Sequence, residues 1–376
     1  MRTSLPIALL ALSALSAVVG CGSADAPSES LGSISSAVQG GKADTTTAHN
    51  FAVGIANKMG GVCTGTLIAP NLVLTARHCV IPPSGNDGVT CADKFPKSVA
   101  PSNLFITTEP NLYRARAYYA AKEIITPKET GFCGNDIALI ILDKNIPEAE
   151  AEPATPVVQF SMTNREKIDG TITAMGYGIT SPSANDSGQR RIRQNIDILC
   201  IPGDKHLKCD GQLGAMVDSD KEFVTAGWVC SGDSGGGAYD QKSFDRGSPY
   251  VLGALSRGPQ TEDKCLAAIY TRTDAHAEMI IEAGQKAAEH GGYTAPTWTT
   301  PLPEEPEGDP SIGETCEGET CTDVSATEPD APATVTRKTT SGCSSSPVST
   351  SNGPMTLAGA MALAGIVGLL ARRRRK

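Results

Sequence analysis

Basic charge and histidine are both scarce in this sequence. Its 32 Lys and Arg against 41 Asp and Glu give a formal net charge of −9, so it lacks the basic face with which nucleic-acid binders displace counterions from phosphates. It has only five histidines, none near a cysteine pair at zinc-ligand spacing. No internal repeat is evident. These absences argue against a nucleic-acid partner, a zinc module and a repeat protein.

Long apolar runs are confined to the two ends of the chain. The first, residues 5–19, follows Arg2 and leads into Val18-Val19-Gly20-Cys21, which resembles the lipobox of bacterial lipoprotein signals. We therefore expect a signal peptide over residues 1–20, lipid attachment at Cys21 and a propeptide over residues 21–37. The alternative is an ordinary signal peptide with an incidental Cys21. Both take the protein out of the cytoplasm.

The C-terminal part predicts a linker and then an anchor. Residues 292–342 are rich in Pro, Thr, Glu and Ser, a composition that buries too little apolar surface to fold and indicates an extended linker. Cys343, an apolar run over residues 355–371 and a basic tail follow, which predicts a transmembrane anchor over residues 343–376. This arrangement resembles the sorting signals of myxobacterial-type surface proteins. The alternative is a plain membrane anchor, and both readings predict a location in the cell envelope or at the cell surface.

Cysteine is abundant for an exported chain, with twelve residues. An oxidising compartment favours disulfides over metal sites, and ten cysteines remain if Cys21 carries lipid and Cys343 belongs to the tail signal. Sequence alone does not fix connectivity. We suggest the pairs Cys63–Cys79, Cys91–Cys133, Cys200–Cys209, Cys230–Cys265 and Cys316–Cys321.

The middle of the chain has an all-β pattern. Between residues 51 and 273, short apolar and β-branched runs alternate with Gly, Pro, Asn, Asp and Ser clusters, which is typical of a barrel or sandwich. From Asp274 the spacing of alanines and isoleucines predicts one amphipathic helix that ends near Gly291. We expect one β domain closed by a C-terminal helix.

The segment Cys230-Ser231-Gly232-Asp233-Ser234-Gly235-Gly236 carries the strongest chemical signal. An acyl-transfer nucleophile needs an exposed hydroxyl beside backbone N–H groups that can face an oxyanion, and glycines permit that backbone path. Ser234 is therefore the candidate nucleophile.

Serine needs a base to take its proton, and imidazole has a suitable pKa. His78 follows the apolar run 72–76 and precedes Cys79, which places it on a rigid edge. The cycling imidazole also needs a buried anion. Asp136 stands directly before the apolar run 137–142, so its carboxylate is expected at a strand mouth.

Residues 38–289 resemble the trypsin and chymotrypsin family in both catalytic motifs, in the chain order of the three candidates and in the terminal helix. The resemblance implies two packed six-stranded antiparallel β-barrels over residues 38–291, with the active site between them. It implies that Ser234 attacks the scissile carbonyl, that His78 is base and then acid, and that Asp136 orients His78. The amides of Gly232 and Ser234 would form the oxyanion hole.

The sequence Ala37-Val38-Gln39-Gly40-Gly41 resembles the activation junction of the same family. Cleavage there would free an amine on Val38 that pairs with Asp233, and a buried charge of this kind is costly without its partner. The alternative is a flexible glycine pair in a leader. We expect a zymogen.

The resemblance also points to a substrate pocket. An ungapped count places Trp228 at its floor, Ser256 and Gly258 on one wall and Ala268 on the other. Trypsin-like members have an aspartate at the floor, so this pocket predicts a small or medium apolar side chain rather than Lys or Arg. Two further departures are Arg77, where a small residue usually precedes the histidine, and Gly237, where proline is usual.

These features favour a monomeric serine endopeptidase that acts on proteins or peptides without a metal or organic cofactor. A second hypothesis is a binding module that keeps the fold without catalysis, motivated by the unusual pocket floor. An esterase on the α/β-hydrolase fold is disfavoured, because that fold orders its residues Ser, acid, His.

Overall fold

The computed structural model describes residues 38–58, 60–83, 90–96 and 101–300. Several predicted features lie outside the described residues: the signal peptide, the lipidated Cys21, the propeptide, the Cys316–Cys321 pair, Cys343 and the transmembrane anchor. Among the residues that are described, no helix has both the length and the hydropathy needed to cross a bilayer.

The first barrel closes six antiparallel strands in the order β2-β3-β4-β7-β6-β5. β4 and β7 are buried along their whole length, which is why their sequences are continuous apolar runs rather than alternating ones. The six strands are β2 (Ala52–Asn57), β3 (Val62–Ala69), β4 (Leu72–Thr75), β5 (Leu104–Thr107), β6 (Tyr119–Ile125) and β7 (Ala138–Leu142).

The second barrel closes six antiparallel strands in the order β9-β10-β11-β14-β13-β12. In β10, buried Ile196 and Ile198 alternate with exposed Asn195 and Asp197, the pattern of a strand with one face in the core. The six strands are β9 (Thr171–Gly176), β10 (Arg191–Cys200), β11 (Glu222–Ala226), β12 (Gly237–Asp240), β13 (Tyr250–Arg257) and β14 (Ala267–Arg272).

Short elements complete the fold. Strand β1 (Lys42–Ala43) pairs with β10, and β8 (Thr155–Pro156) pairs parallel with β13. The helices are α1 (Arg77–Val80), α2 (Gly211–Met216), α3 (Gln241–Asp245) and α4 (Ala277–Gly291). The expected architecture of two barrels and a terminal helix, which is chymotrypsin-like, is confirmed.

Polar side chains join the two barrels. The Tyr239 hydroxyl of the second barrel lies 2.8 Å from the Thr66 hydroxyl of the first. The Tyr177 hydroxyl donates to the carbonyl of Glu109 at 2.9 Å, and its oxygen lies 3.2 Å from the carbonyl oxygen of Ala52, which shares the same proton. These buried bonds fix the edge along which the candidate catalytic residues meet.

Helix α4 buries Ile280, Ala283 and Ala287 and is held to the first barrel by Asn71, whose side-chain amide donates to the carbonyl of Ala287 at 3.0 Å. The folded part continues beyond the expected boundary at residue 291. Trp298 is buried, because Gly284 of α4 has no side chain and leaves room for its ring. Residues 292–300, predicted as linker, therefore pack against the helix.

Four of the five suggested disulfides fall within the described residues, and all four are confirmed: Cys63–Cys79, Cys91–Cys133, Cys200–Cys209 and Cys230–Cys265. The first and last flank the candidate histidine and serine.

We expect removal of Cys230–Cys265 by a double serine substitution to lower the free energy of unfolding by about 3 kcal/mol. The matched control is Cys200–Cys209. Its partners are 9 residues apart rather than 35, so its loss should cost about 1 kcal/mol less, because the shorter loop constrains the unfolded chain less. Urea unfolding of the two variants measures the difference, and a larger loss at Cys200–Cys209 would contradict this account.

Candidate active site

His78 and Asp136 are held together by two hydrogen bonds. The backbone N–H of His78 donates to Oδ1 of Asp136 at 2.9 Å, and its Nδ1 lies 2.8 Å from Oδ2. Because a carboxylate only accepts, Nδ1 carries the proton and Nε2, on the opposite edge of the ring, is left as the basic nitrogen. Asp136 is fully buried, whereas the His78 side chain is 19% exposed.

The Asp136 charge controls the imidazole. Burial alone lowers the pKa of His78, but the charge of Asp136 and its hydrogen bond outweigh burial, so the pKa lies above the ordinary value. His78 stands in α1 directly after β4, and Asp136 stands directly before β7. Since β4 and β7 are paired neighbours, the sheet itself brings the two residues together.

Ser256 takes part in this network, a role that the sequence analysis missed when it placed the residue only in the pocket wall. Its hydroxyl donates to Oδ2 of Asp136 at 2.6 Å. Ser256 belongs to β13 of the second barrel, so this bond ties the histidine–aspartate pair to the barrel that carries Ser234. Nothing local in the sequence around Asp136 indicates it.

Thr64 of the first barrel anchors the Ser234 loop. Its N–H donates to the carbonyl of Ser234 at 2.8 Å, and its hydroxyl donates to the carbonyl of Gly232 at 3.0 Å. The same hydroxyl accepts the N–H of Tyr177 at 3.0 Å. His78 and Ser234 line one cavity of about 670 Å³.

The amides of Gly232 and Ser234 have no acceptor among the described residues. The carbonyl of Ser231 accepts the N–H of Ile179 at 2.9 Å. Because a trans peptide points its C=O and N–H in opposite directions, the Gly232 N–H points away from Ile179. Gly232 has φ of +92°, and a Cβ there would lie 2.7 Å from Cα of Gly178, so only glycine fits.

Val38 and Asp233 also lie together. Val38 is fully buried in the core of the second barrel, and its backbone N–H donates to the Asp233 carboxylate. The carboxylate also accepts the N–H of Gly178 at 2.8 Å and that of Cys230 at 2.9 Å. Burial nevertheless raises the pKa of Asp233 to about 7, although these three N–H donors and the charge of Arg191 lower it.

The four predicted pocket residues do not all reach the cavity. Ser256 and Gly258 line it, but Trp228 and Ala268 are not among the lining residues. Trp228 has φ of +92°, is 38% exposed and stacks against the guanidinium of Arg193, 3.6 Å from its ring centroid. The neighbouring Val229 lines the cavity.

Apolar side chains form part of the cavity that Ser234 lines. Val229, Leu255, Ile269 and the Cys230–Cys265 disulfide contribute to this part, and no acidic side chain of the described residues lines the cavity. At Gly258 the wall is tight, because a Cβ there would lie 2.1 Å from the carbonyl oxygen of Ala267.

Arg257 lines the outer part of the cavity but is neutralised. Its Nη1 and Nη2 donate to the two carboxylate oxygens of Glu222, at 2.6 and 3.0 Å. Glu222 is fully buried, and the Arg257 side chain is 12% exposed. A bidentate pair of this kind fixes the guanidinium in one geometry.

Two clusters of potential metal ligands occur in the described part of the chain: Cys63 with His78 and Cys79, and Cys91 with Cys133 and Asp218. Every cysteine in them is disulfide-bonded. Because metal ions bind the thiolate form of cysteine, neither cluster is a credible metal site.

The fold and these contacts are those of a chymotrypsin-like serine peptidase domain. A family model described as Trypsin matches residues 38–280, and the chain therefore belongs to the trypsin family.

Three relatives show how far the sequences have diverged. Phenoloxidase-activating factor 3 of Holotrichia diomphalia is 24% identical over 242 residues, which is 58% of this chain and 62% of that protein. Snake venom serine protease KN11 of Trimeresurus stejnegeri is 27% identical, covering 67% of this chain and 89% of its own. Trypsin of Saccharopolyspora erythraea is 24% identical, covering 65% and 97%. The chain thus spans less than two thirds of the first of these relatives.

Proposed function

We propose that this protein is an exported serine endopeptidase that hydrolyses peptide bonds through an acyl-enzyme and is made as an inactive precursor. The observation that carries the proposal is the buried Asp136 bonded to Nδ1 of His78, with the histidine beside Ser234 in one cavity. Membership of the trypsin family and the relatives named as serine proteases support the same activity.

Ser234 is proposed to attack the carbonyl carbon of the substrate while Nε2 of His78 takes its hydroxyl proton. The imidazolium that forms is stabilised by Asp136, which is itself oriented by Ser256. His78 then gives the proton to the leaving amine, and the acyl group stays on Ser234. Water deprotonated by His78 hydrolyses this ester and regenerates the serine.

The oxyanion of each tetrahedral intermediate is proposed to accept hydrogen bonds from the amides of Gly232 and Ser234. Both amides lack an acceptor in the described residues, and the bonds from Thr64 to the carbonyls of Gly232 and Ser234 fix the loop. Preorganised donors of this kind are worth about 10²–10³ in rate each.

Labelling with a fluorophosphonate tests this proposal. The exported protein is treated before and after cleavage at Ala37–Val38, and intact mass is compared for wild type and Ser234→Ala. We expect one adduct on the cleaved wild type and none on the variant. A folded and correctly cleaved protein that takes no label would instead favour the non-catalytic binding module.

The substrate side chain before the scissile bond is proposed to be small or medium and apolar. The walls formed by Val229, Leu255 and Ile269 offer no carboxylate, and a buried ammonium or guanidinium without a partner is costly. The close approach of Gly258 to Ala267 limits the width at one side.

On a series of peptides that differ only in this residue, we expect kcat/KM to be at least about tenfold higher for Ala, Val or Leu than for Lys or Arg. As a matched control, Val229→Asp puts a carboxylate into the lining and should raise the relative kcat/KM for Lys and Arg. Strict cleavage after Lys or Arg by the wild type would rule out the apolar pocket.

The proposed location is the cell envelope or cell surface. Its support is the signal-like N-terminus and the Cys343 and 355–371 segments of the sequence, together with the four disulfides, which form in oxidising compartments. Cleavage at Ala37–Val38 would separate the domain from a lipid on Cys21, leaving the C-terminal segment as the anchor.

A further inference from the structure

Arg77, the residue directly before His78, is buried to 1% exposure. A buried cation is destabilising by several kcal/mol unless it is partnered. The resemblance to the trypsin family implies a small residue at this position, and the triad chemistry proposed above makes no use of a cation here. The buried arginine therefore differs from the family pattern without serving the proposed triad directly.

The guanidinium bonds to the loop that carries Asp136. Its Nη1 donates to the carbonyl of Glu129 at 2.6 Å, and its Cζ lies 4.6 Å from the ring centroid of Phe95. Its Nε is buried and has no hydrogen-bond partner among the residues that the structure describes. Arg77 thus reaches from α1 to the connection between β6 and β7, which ends at Asp136.

The same loop is braced by a second segment. The N–H of Phe95 donates to the carbonyl of Thr130 at 2.7 Å, and the ring of Phe95 stacks on Phe132 with centroids 5.2 Å apart. The Phe132 ring in turn lies 6.3 Å from the imidazole of His78. Arg77, Phe95 and Phe132 therefore form one packed unit behind the histidine.

Two buried ionisable groups that contact this loop from other elements, Glu222 and His276, are paired or neutral. From the second barrel, Glu222 accepts the N–H of Gly134 at 2.8 Å and is neutralised by Arg257. Nε2 of His276 donates to the carbonyl of Gly134 at 2.7 Å, and burial lowers the pKa of His276, so it is neutral. The side chain of Glu129 is exposed to solvent near Lys128 and Lys221.

Arg77 is a buried cation bonded to the loop that carries Asp136. Burial is the main influence on the pKa of Arg77 and lowers it, while the charges of Asp136 and Glu129 act in the opposite direction, so Arg77 is attracted to both carboxylates. A cation near the carboxylate reduces the stabilisation that the carboxylate gives to the imidazolium. The pKa of His78 is then lower than Asp136 alone would make it, so the neutral base is present at a lower pH.

We propose that Arg77 is a positioning residue that clamps the Asp136 loop to α1 and, by its charge, makes the Asp136–His78 pair less basic. The effect on hydrolysis rests on the proposed function. The effect on the imidazole does not, because its titration can be measured without turnover.

The test compares Arg77→Met with Arg77→Lys. Methionine keeps an unbranched apolar side chain but removes the charge, whereas lysine keeps the charge. In the cleaved enzyme we expect Arg77→Met to move the acid limb of kcat/KM upward by about 0.5–1 pH unit and to lower kcat about tenfold or more. Because Arg77→Lys keeps the positive charge, it should leave the acid limb within about 0.2 pH units of wild type.

A purely structural role would lower kcat or the labelled fraction and leave the acid limb in place, and that result would overturn the proposal. If Arg77→Met does not fold, Arg77→Gln replaces it, since glutamine keeps a donor for Glu129 without the charge. NMR titration of the His78 ring in a Ser234→Ala background gives the same answer in a chain that cannot hydrolyse anything. An unshifted imidazole there also refutes the proposal, even if the wild type proves inactive.

Discussion

Ser234→Ala is expected to lower kcat for peptide hydrolysis by about 10⁶-fold in the cleaved protein. Without the hydroxyl there is no acyl-enzyme, and His78 has no proton to remove from a bound nucleophile. Only the residual catalysis of the bound and polarised peptide remains. The measurement is kcat at saturating substrate for wild type and variant, each corrected for the fraction that is correctly folded.

The double variant Ser234→Ala with His78→Ala is the matched control. The two residues are proposed to act as one unit, so the second substitution should add little to the first. A fold change in the double variant near the product of the single effects would show that they act independently. If Ser234→Ala keeps more than about a tenth of the wild-type rate, another residue is the nucleophile, because loss of the nucleophile lowers the rate far more than this.

The uncut chain is expected to have at least about 100-fold lower kcat/KM than the chain cut between Ala37 and Val38, because an ill-formed oxyanion hole loses about 10²–10³ per donor. In the uncut chain Asp233 is buried and accepts the peptide N–H groups of Cys230, Gly178 and Val38, and burial raises its pKa to about 7. Cleavage would place the new α-amine of Val38 against this carboxylate and supply the missing charge. Asp233 directly precedes Ser234, so the loop responds to it.

Ala37→Arg makes this measurement clean, because added trypsin can then cut before Val38 whatever the specificity of the protein itself. Activity should appear in step with the new N-terminus. Asp233→Asn is the control, since its cut form lacks the ion pair and should stay close to the uncut level. Equal activity of cut and uncut wild type would exclude the zymogen.

The pH dependence of the cut form has a defined sign. Its activity should be lost as the pH rises, because the Val38 amine then loses its proton. The ordinary pKa of an α-amino group is about 7.7–8.0. Pairing with Asp233 holds that pKa above the ordinary value, so the loss falls on the alkaline side.

Much of the fold and part of the site could be predicted from short segments. The segments that form β4 and β7 are apolar because both strands are fully buried. Each short segment shows this apolar pattern by itself. His78 and Asp136 each stand at an end of one of these strands. The cysteines beside His78 and Ser234 gave correct pairs because the segments they join are close in a double barrel.

Contacts between distant segments could not be predicted in the same way. Ser256 bonds to Asp136 across 120 residues, and Thr64 bonds to Gly232 across 168, so no local pattern records either contact. Trp228 was assigned to the pocket by counting residues, but its ring stacks on Arg193 and it is not among the residues that line the cavity. The composition of the chain beyond Gly291 predicts a linker, yet the ring of Trp298 packs against Gly284 of helix α4.

The proposed nucleophile and its base belong to different barrels, joined by Thr64, Ser256 and a few tyrosine hydroxyls. A change in the spacing of the barrels by a fraction of an ångström would separate Ser234 from His78 while leaving the strand pairing within each barrel unchanged. We therefore expect the proposed hydrolysis to fail before either barrel melts, and the contacts between the barrels to limit the activity more than the stability of either one.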